Sequence, residues 1–279
     1  MDKIYYRSDA VTLYQGNCLD ILPTLPEHSV HMIFADPPYN LSNGGITCHA
    51  GKRVSVNKGA WDKSNGIDKD YDFTINWLSA CRRVLDDDGT IWVSGTMHKI
   101  YSIGFALQKL GYKLLNDICW FKPNASPNLS CRYFTHSHET VLWAAKSNKS
   151  KHKFDYALMK QIAGGKQMRS LWVDLDVKNE PQDIWPIGTP SRDEKKFGKH
   201  PTQKPLALIE RIILASTTPG QIVLDPFSGS STTGVAAIKH NRNFIGIEIE
   251  TAYLDLSVER IKEEETKLRI KPSLSNKLG

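Results

Sequence analysis

Asp36-Pro37-Pro38-Tyr39 carries the densest chemistry in the chain. The tetrapeptide follows the apolar run His31-Met32-Ile33-Phe34-Ala35. A buried parallel strand delivers such residues to the carboxyl edge of a sheet, where open α/β sheets bind ligands. The paired prolines restrict the turn and leave the Pro37 carbonyl without an amide competitor on the next residue. A carboxylate beside a carbonyl suits an amine, since each accepts one N–H. An exocyclic base amine needs that grip because its lone pair is conjugated with the ring. Held by two acceptors, the nitrogen turns its lone pair toward an electrophilic methyl group. A carboxylate is too weak a base to deprotonate the neutral amine first, so the methyl transfers in line and the proton leaves afterwards. Tyr39 then offers a stacking face for an extruded base. The plainer reading of the same four residues is an Asp-Pro turn closing a strand.

A second block, Leu224-Asp225-Pro226-Phe227-Ser228-Gly229-Ser230-Ser231-Thr232, again follows an apolar run and leads into helical periodicity. Small residues let backbone approach a ligand, and amides at a helix N-terminus hold a carboxylate such as the one on the methionine tail of S-adenosylmethionine. In Phe244-Ile245-Gly246-Ile247-Glu248, the acid closes the next strand, where it can accept both ribose hydroxyls. A cap on the helix that starts near Thr251 is the alternative for Glu248. The dinucleotide fingerprint G-x-G-x-x-G is absent.

These blocks need a scaffold, and the apolar patterning supplies one. Short β-rich runs at 12–17, 31–36, 90–95, 116–121, 139–144, 221–225 and 244–249 alternate with helical-period segments at 73–85, 99–110, 205–216, 231–240 and 251–268. The pattern predicts an α/β fold with a doubly wound, mostly parallel seven-stranded sheet, spread over residues 1–279 as one domain. Residues 40–70, rich in Gly, Asn, Lys and Ser, are expected to form a long loop. The stretch 147–200 also reads as irregular.

Bulk properties narrow the class. A hydrophobic content of 40% supports one sizeable core, and no apolar run reaches the length of a membrane helix. The polar first residues argue against a secretory signal, so a cytoplasmic protein is expected. Cys18, Cys48, Cys81, Cys119 and Cys131 are too scattered for a disulfide framework, and His136 and His138 near Cys131 lack a fourth ligand, so no metal is expected. The net charge of +6 suits a polyanionic partner. From Lys146 to Arg169 seven bases face the single acid Asp155, which reads either as a solvated face or as a phosphate-tracking strip.

Taken together, Ile-Phe-Ala-Asp-Pro-Pro-Tyr, the following LSNGG, VSVNKGAWDK, NLSCRYFTHS, GKQM and GKHPTQKP resemble the beta class of DNA amino-methyltransferases. More narrowly, they resemble the DpnA-type and HinfI-type adenine enzymes of bacterial restriction systems, over nearly the whole chain. That resemblance implies a Rossmann-like methyltransferase fold and methyl transfer from S-adenosylmethionine to the N6 amine of a flipped adenine, in a GATC-like or GANTC-like site. It makes Asp36, Pro37, Pro38 and Tyr39 the target-amine site. The cofactor set becomes Asp36, Asp225 through Thr232 and Glu248. Thr202 and Lys204 join it near the methionine end, and Asn17 and Cys18 in the turn that meets the cofactor adenine. Residues 123–200 become an inserted target-recognition region, and 40–70 a mobile loop over the active site. DNA, duplex or single-stranded, is the implied partner. Lys122, Lys149 and Lys151 are expected on phosphates, Asn124, Ser126, Asn128 and Arg132 at base edges, and Lys52, Arg53 and Lys58 in the closing loop. A cognate restriction endonuclease and a companion methyltransferase accompany such enzymes, and a homodimer stays open.

Two positions depart from the family pattern. Ser231 stands where glycine is usual, and Asn17 where an acid is common. The rival readings are an N4-cytosine enzyme of the same fold, a DNA-binding module without catalysis, and a nucleotide-linked oxidoreductase. A C5-cytosine mechanism needs a cysteine nucleophile, and no Pro-Cys pair occurs.

Overall fold

Residues 3–40, 42, 46–49, 52–55, 59–122, 125, 127–172, 187, 190–198 and 200–275 are described in a computed structural model, excepting the side chains of 46–49, 52–55, 60, 171–172 and 271–275. The elements run β1 (Ile4–Arg7), β2 (Val11–Gln15), α1 (Cys18–Ile21), β3 (Val30–Ala35), β4 (Ile46–His49), β5 (Lys52–Ser55), α2 (Ile67–Val84) and β6 (Leu85–Gly95). They continue with α3 (Ile100–Lys109), β7 (Lys113–Phe121), β8 (His138–Ala145), α4 (Tyr156–Ile162), β9 (Leu171–Trp172), α5 (Leu206–Ser216), β10 (Ile222–Asp225), α6 (Thr232–Lys239), β11 (Asn243–Glu248) and α7 (Thr251–Ser275). None of the helices is long and apolar enough to cross a membrane, among the described residues.

One sheet takes the order β1-β2-β11-β10-β3-β6-β8-β7-β9. Its centre, from β2 through β6, is parallel, and β8 runs antiparallel to both β6 and β7. All seven expected strands lie in this sheet. Two short ones, β1 and β9, extend its edges to nine among the described residues. With four and two residues and a single neighbour each, they carry too little apolar pattern to stand out in sequence. Within 40–70, β4 and β5 pair as an antiparallel hairpin, so this stretch is not structureless throughout. Within 147–200, α4 is started by Asp155, whose carboxylate accepts the Leu158 N–H at 3.1 Å.

Strand alternation divides the core between the two sheet faces. Ile33 and Ala35 of β3 pack with Trp77, Leu78 and Cys81 of α2 and Ile103 and Leu107 of α3. Met32 and Phe34 pack with Leu208 and Ile212 of α5, Ala236 of α6 and Leu254 and Ile261 of α7. Burial on both faces explains why β3 reads as a nearly continuous apolar run.

Gly234 of α6 is where the helix meets β11. A β-carbon there would lie 2.6 Å from Phe244 Cδ1 and Cε1. Alanine gains about 1 kcal/mol of helix propensity over glycine, but overpacking costs about 1–3 kcal/mol. Gly234→Ala is therefore expected to destabilise, lowering the denaturation midpoint by a few degrees in a thermal melt. A raised midpoint would show that the α6–β11 contact yields freely.

Candidate active site

The parallel centre places two chain reversals side by side. β3 pairs with β10, yet from β3 the chain proceeds through α2 to β6 on one side, and from β10 through α6 to β11 on the other. That switch point opens a crevice at the carboxyl ends of both strands. A cavity of about 250 Å³ fills it. Asp36 and Pro38 line one end, and Asp225 through Ser230 with Thr232 and Glu248 line the other. Gly16, Asn17 and Cys18 close one wall, His200, Thr202 and Lys204 another, and Trp61, Phe73 and Tyr253 add aromatic surface. The two blocks picked out in sequence thus share one pocket.

Asp36 is held by three side chains. Its Oδ1 accepts the Tyr39 hydroxyl and the Ser94 hydroxyl, each at 2.5 Å, and its Oδ2 accepts Lys204 Nζ at 2.5 Å. Tyr39 is buried, and its ring faces Lys204 with the ammonium 5.5 Å from the centroid. Burial, and then the negative Asp36 and Glu139, raise the Tyr39 hydroxyl well above its ordinary value, so it remains a donor. Pro37 is buried and Pro38, rather than Pro37, borders the cavity.

Lys204, expected at the methionine end of the cofactor, lines the cavity and has its ammonium on Asp36. Glu139 lies 3.6 Å from the same ammonium and is itself paired with Lys122. Charges therefore alternate along Asp36, Lys204, Glu139 and Lys122. Burial works against the Lys204 charge, but Asp36 and Glu139 outweigh it and hold its proton more tightly than usual. Lys122, expected on a phosphate, is engaged with Glu139 and stacks 4.5 Å from the Trp120 ring centroid.

The turn after β10 is folded by Asp225, which accepts the Phe227 N–H at 3.0 Å and the Thr233 hydroxyl at 2.6 Å. Burial pushes this carboxyl up to about 7, against those two hydrogen bonds and with help from the charges of Asp36 and Glu248. Phe227 packs edge-on against Trp77 at 5.3 Å, tying the turn to α2. Ser231 adopts the left-handed region, φ 52° and ψ 41°, which costs a residue with a β-carbon about 1–2 kcal/mol. Its hydroxyl meets that of Ser228 at 2.6 Å and its amide donates to the Ser228 carbonyl at 2.7 Å. Ser231 is fully buried behind the turn and does not line the cavity, so the expectation that it offers an amide to the cofactor is corrected. From α7, Arg260 bonds the Ser230 carbonyl and the Thr232 hydroxyl, and Ser257 donates to the Gly229 carbonyl at 2.9 Å.

Glu248 serves both readings. It accepts the Ile249 and Glu250 amides at the start of α7, at 2.8 and 2.9 Å, and the Gly229 amide at 2.8 Å. It also lines the cavity, where burial raises its carboxyl above the usual glutamate range. Asn17 caps α1 through the Leu19 N–H at 2.9 Å. His200 lies edge-on to Tyr253 with centroids 4.2 Å apart, and a β-carbon at Gly229, φ +51°, would meet its ring at 3.1 Å.

The expected DNA contacts separate. Lys58, Asn124 and Ser126 lie outside the described residues, and of Lys52 and Arg53 only the backbone in β5 is described. Asn128 spends its side chain on its own loop, donating to the Tyr133 carbonyl at 2.6 Å and accepting from Ser130, which leaves no fork for a base. Arg132 is exposed beyond β7. Lys149 and Lys151 require correction. Because β8 runs antiparallel to β6, the chain leaves it at the amino edge of the central strands, where the Lys151 N–H donates to Asp88 at 2.6 Å. These two lysines are exposed at the edge opposite Asp36, and their neighbour Lys146 is buried against Asp87 at 3.0 Å.

Sequence reasoning missed Ser94, Glu139, His200, Trp61 and Arg260. Only the pairing of Ala35 with Val93 brings Ser94 beside Asp36, and no local pattern announces such a register.

Residues 30–259 match a family model described as DNA methylase, covering N6 and N4 methyltransferases. The Type II methyltransferase M2.DpnII of Streptococcus pneumoniae is 47% identical over 95% of this chain and 94% of its own length. M2.MboI of Moraxella bovis is 47% identical over 94% and 92%. Among solved structures, the M1.HpyAVI–SAM complex shares 27% identity and a TM-score of 0.62 over 90% of this chain and 98% of that one. The PvuII cytosine-N4-specific DNA methyltransferase has the same fold, at 22% identity and a TM-score of 0.69 over 93% and 89%. With the paired catalytic and cofactor turns in one cavity and a family match spanning most of its length, the chain belongs to the N6/N4 DNA methylases.

Proposed function

We propose that the chain transfers a methyl group from S-adenosylmethionine to the N6 amine of a flipped adenine in DNA, in a GATC-like site, as the modification enzyme of a restriction system. The observation that carries this reading is the single cavity joining Asp36 to the Asp225–Glu248 wall. A carboxylate has about four acceptor positions, and three on Asp36 are filled, which leaves one for a substrate N–H. Resemblance to the family assigns the other N–H to the Pro37 carbonyl, next to the Pro38 that borders the cavity. S-adenosylmethionine, when bound, supplies a sulfonium methyl at that nitrogen. The cavity fits it: Glu248 retains acceptor capacity for ribose hydroxyls, Ile249 and Tyr253 provide apolar faces for a purine, and the buried acid Asp225 suits a cationic ligand. Asp36, with its oxygens positioned by Tyr39, Ser94 and Lys204, holds the amine in line, and the proton leaves only after the bond forms.

The shared fold admits either base amine. The adenine assignment rests on the aspartate opening the motif and on the longer strings around it. The same strings, and the Type II methyltransferase names of the relatives, support a cytoplasmic role beside a cognate endonuclease and a companion methyltransferase. Expressing the chain in cells free of adenine methylation and sequencing their DNA for modified bases tests the assignment. N6-methyladenine in one short site is expected, and N4-methylcytosine in its place would refute it.

Asp225 adds a pH dependence. Its carboxyl titrates at about 7, so the cavity gains a negative charge as pH rises through that value. Affinity for the cationic cofactor is expected to increase from pH 6 to pH 8, and Asp225→Asn to flatten the profile, by calorimetric titration. The same shift makes folding less favourable as pH rises from the unfolded value near 4 to about 7, since the folded state keeps the proton longer. A pH-independent affinity in the parent chain would show that Asp225 is already charged below neutrality.

A further inference from the structure

The loop between β7 and β8 exposes aromatic surface where a soluble protein usually hides it. Phe134 is 96% exposed and Tyr133 63%, and Leu129 of the same loop is 40% exposed. Adjacent exposed aromatic side chains such as Tyr133 and Phe134 point to an interaction site.

The topology fixes where they stand. Thr140 of β8 pairs with Gly95 at the carboxyl end of β6, and Phe121 of β7 pairs with His138. The loop therefore leaves the sheet at the edge that holds Asp36. Its root carries Lys122 and Glu139, and Glu139 contacts Lys204, the partner of Asp36. Its returning limb reaches the turn after β6: His136 lies 6.5 Å from His98, four residues beyond the Ser94 that holds Asp36, and Tyr133 lies 5.6 Å from His136. The loop is internally braced, with the Asn128 side chain donating to the Tyr133 carbonyl. From 122 to 137 the chain contains Lys122 and Arg132 and no acid. With Lys122 paired to Glu139, the exposed Arg132 is the charge the loop presents, and an acid-free loop with a projecting aromatic suits a nucleic acid over a second protein surface.

From these observations we infer that Phe134, supported by Tyr133, is the wedge that enters the base stack and fills the gap left by the extruded target base. This rests on the DNA-methylating reading above. Withdrawing a base from a duplex costs stacking and pairing, and an apolar side chain inserted at the step offsets part of that cost. A single strand has no paired stack to repair, so the two substrates separate this role from general DNA affinity.

The test compares the intact chain with Phe134→Ala and Phe134→Trp on three substrates of the same site: a paired duplex, a duplex with an abasic position opposite the target, and the single strand. Single-turnover incorporation of labelled methyl is measured on each. For Phe134→Ala, the loss on the paired duplex is expected to exceed the loss on the single strand at least tenfold, with the abasic duplex between them and Phe134→Trp retaining most of the duplex rate. Duplex carrying 2-aminopurine at the target should brighten on binding the intact chain and stay dim with Phe134→Ala. Equal losses on all three substrates, or a larger loss on the single strand, would overturn the wedge in favour of a stacking platform. Equal losses accompanied by dissociation of a dimer on a sizing column would overturn it in favour of a surface between copies. If the intact chain labels no DNA at all, the underlying function fails instead, and the absence of 2-aminopurine brightening overturns the wedge with it.

Discussion

Asp36→Ala is expected to lower the single-turnover rate of methyl transfer by about 10²–10³-fold, the cost of losing one oriented electrostatic contact to a reacting group. The substitution removes the acceptor for one amine N–H and its charge together, and Tyr39 and Ser94 then have no carboxylate to orient. Asp36 lines the same cavity as Asp225 and Glu248 but makes no hydrogen bond to the Asp225–Thr233 turn, which is braced by Arg260 and Ser257 from behind. Cofactor affinity is therefore expected to change far less than rate. Calorimetry with S-adenosylmethionine beside the rate measurement separates the two. A variant that keeps its rate within tenfold of the parent would remove Asp36 from the reaction. One that loses cofactor binding and rate in equal proportion would place it on the donor instead of the acceptor.

What could be read in the sequence follows from the range of each interaction. β3 and β10 are short apolar runs ended by acids, and local order alone assigned Asp36 and Asp225 to strand ends. The β10-turn-α6 unit and Glu248 lie close together in the chain, so their association was legible too. Long-range pairing was not. Ser94 reaches Asp36 through strand register, and Lys204 crosses from a separate loop. The basic run around Lys149 looked promising by composition, yet charge density carries no information on which sheet edge it occupies. The direction of β8 decides that, and an antiparallel strand cannot be told from a parallel one by its apolar residues when both faces are covered. Ser231 shows the converse. A residue stands there in place of glycine, yet the left-handed turn is kept and the hydroxyl bonds Ser228 to help hold it.

Lys204→Met is expected to lower kcat about 100-fold while leaving the KM for S-adenosylmethionine within about threefold, as loss of a single preorganised charge would. The Lys204 side chain is 7% exposed, and its ammonium stands between two carboxylates, at 2.5 Å from Asp36 and 3.6 Å from Glu139. Methionine matches its length but leaves those acids facing each other in a buried site. Removing one member of a buried ion pair costs about 3–5 kcal/mol, so a lower denaturation midpoint accompanies the lost rate. The pH dependence has a definite sign. Because the folded site raises the lysine, its stabilising contribution is complete below the unfolded value near 10.4 and fades only as pH rises through the higher folded value. Across pH 6–9 the difference in stability arising from this ammonium should stay constant, and chemical denaturation at several pH values measures it. The kinetic split decides between two roles for one residue. A lysine holding the methionine end of the cofactor would raise KM with kcat preserved. A lysine that holds Asp36 in position acts on the reacting amine alone, and its loss falls on kcat.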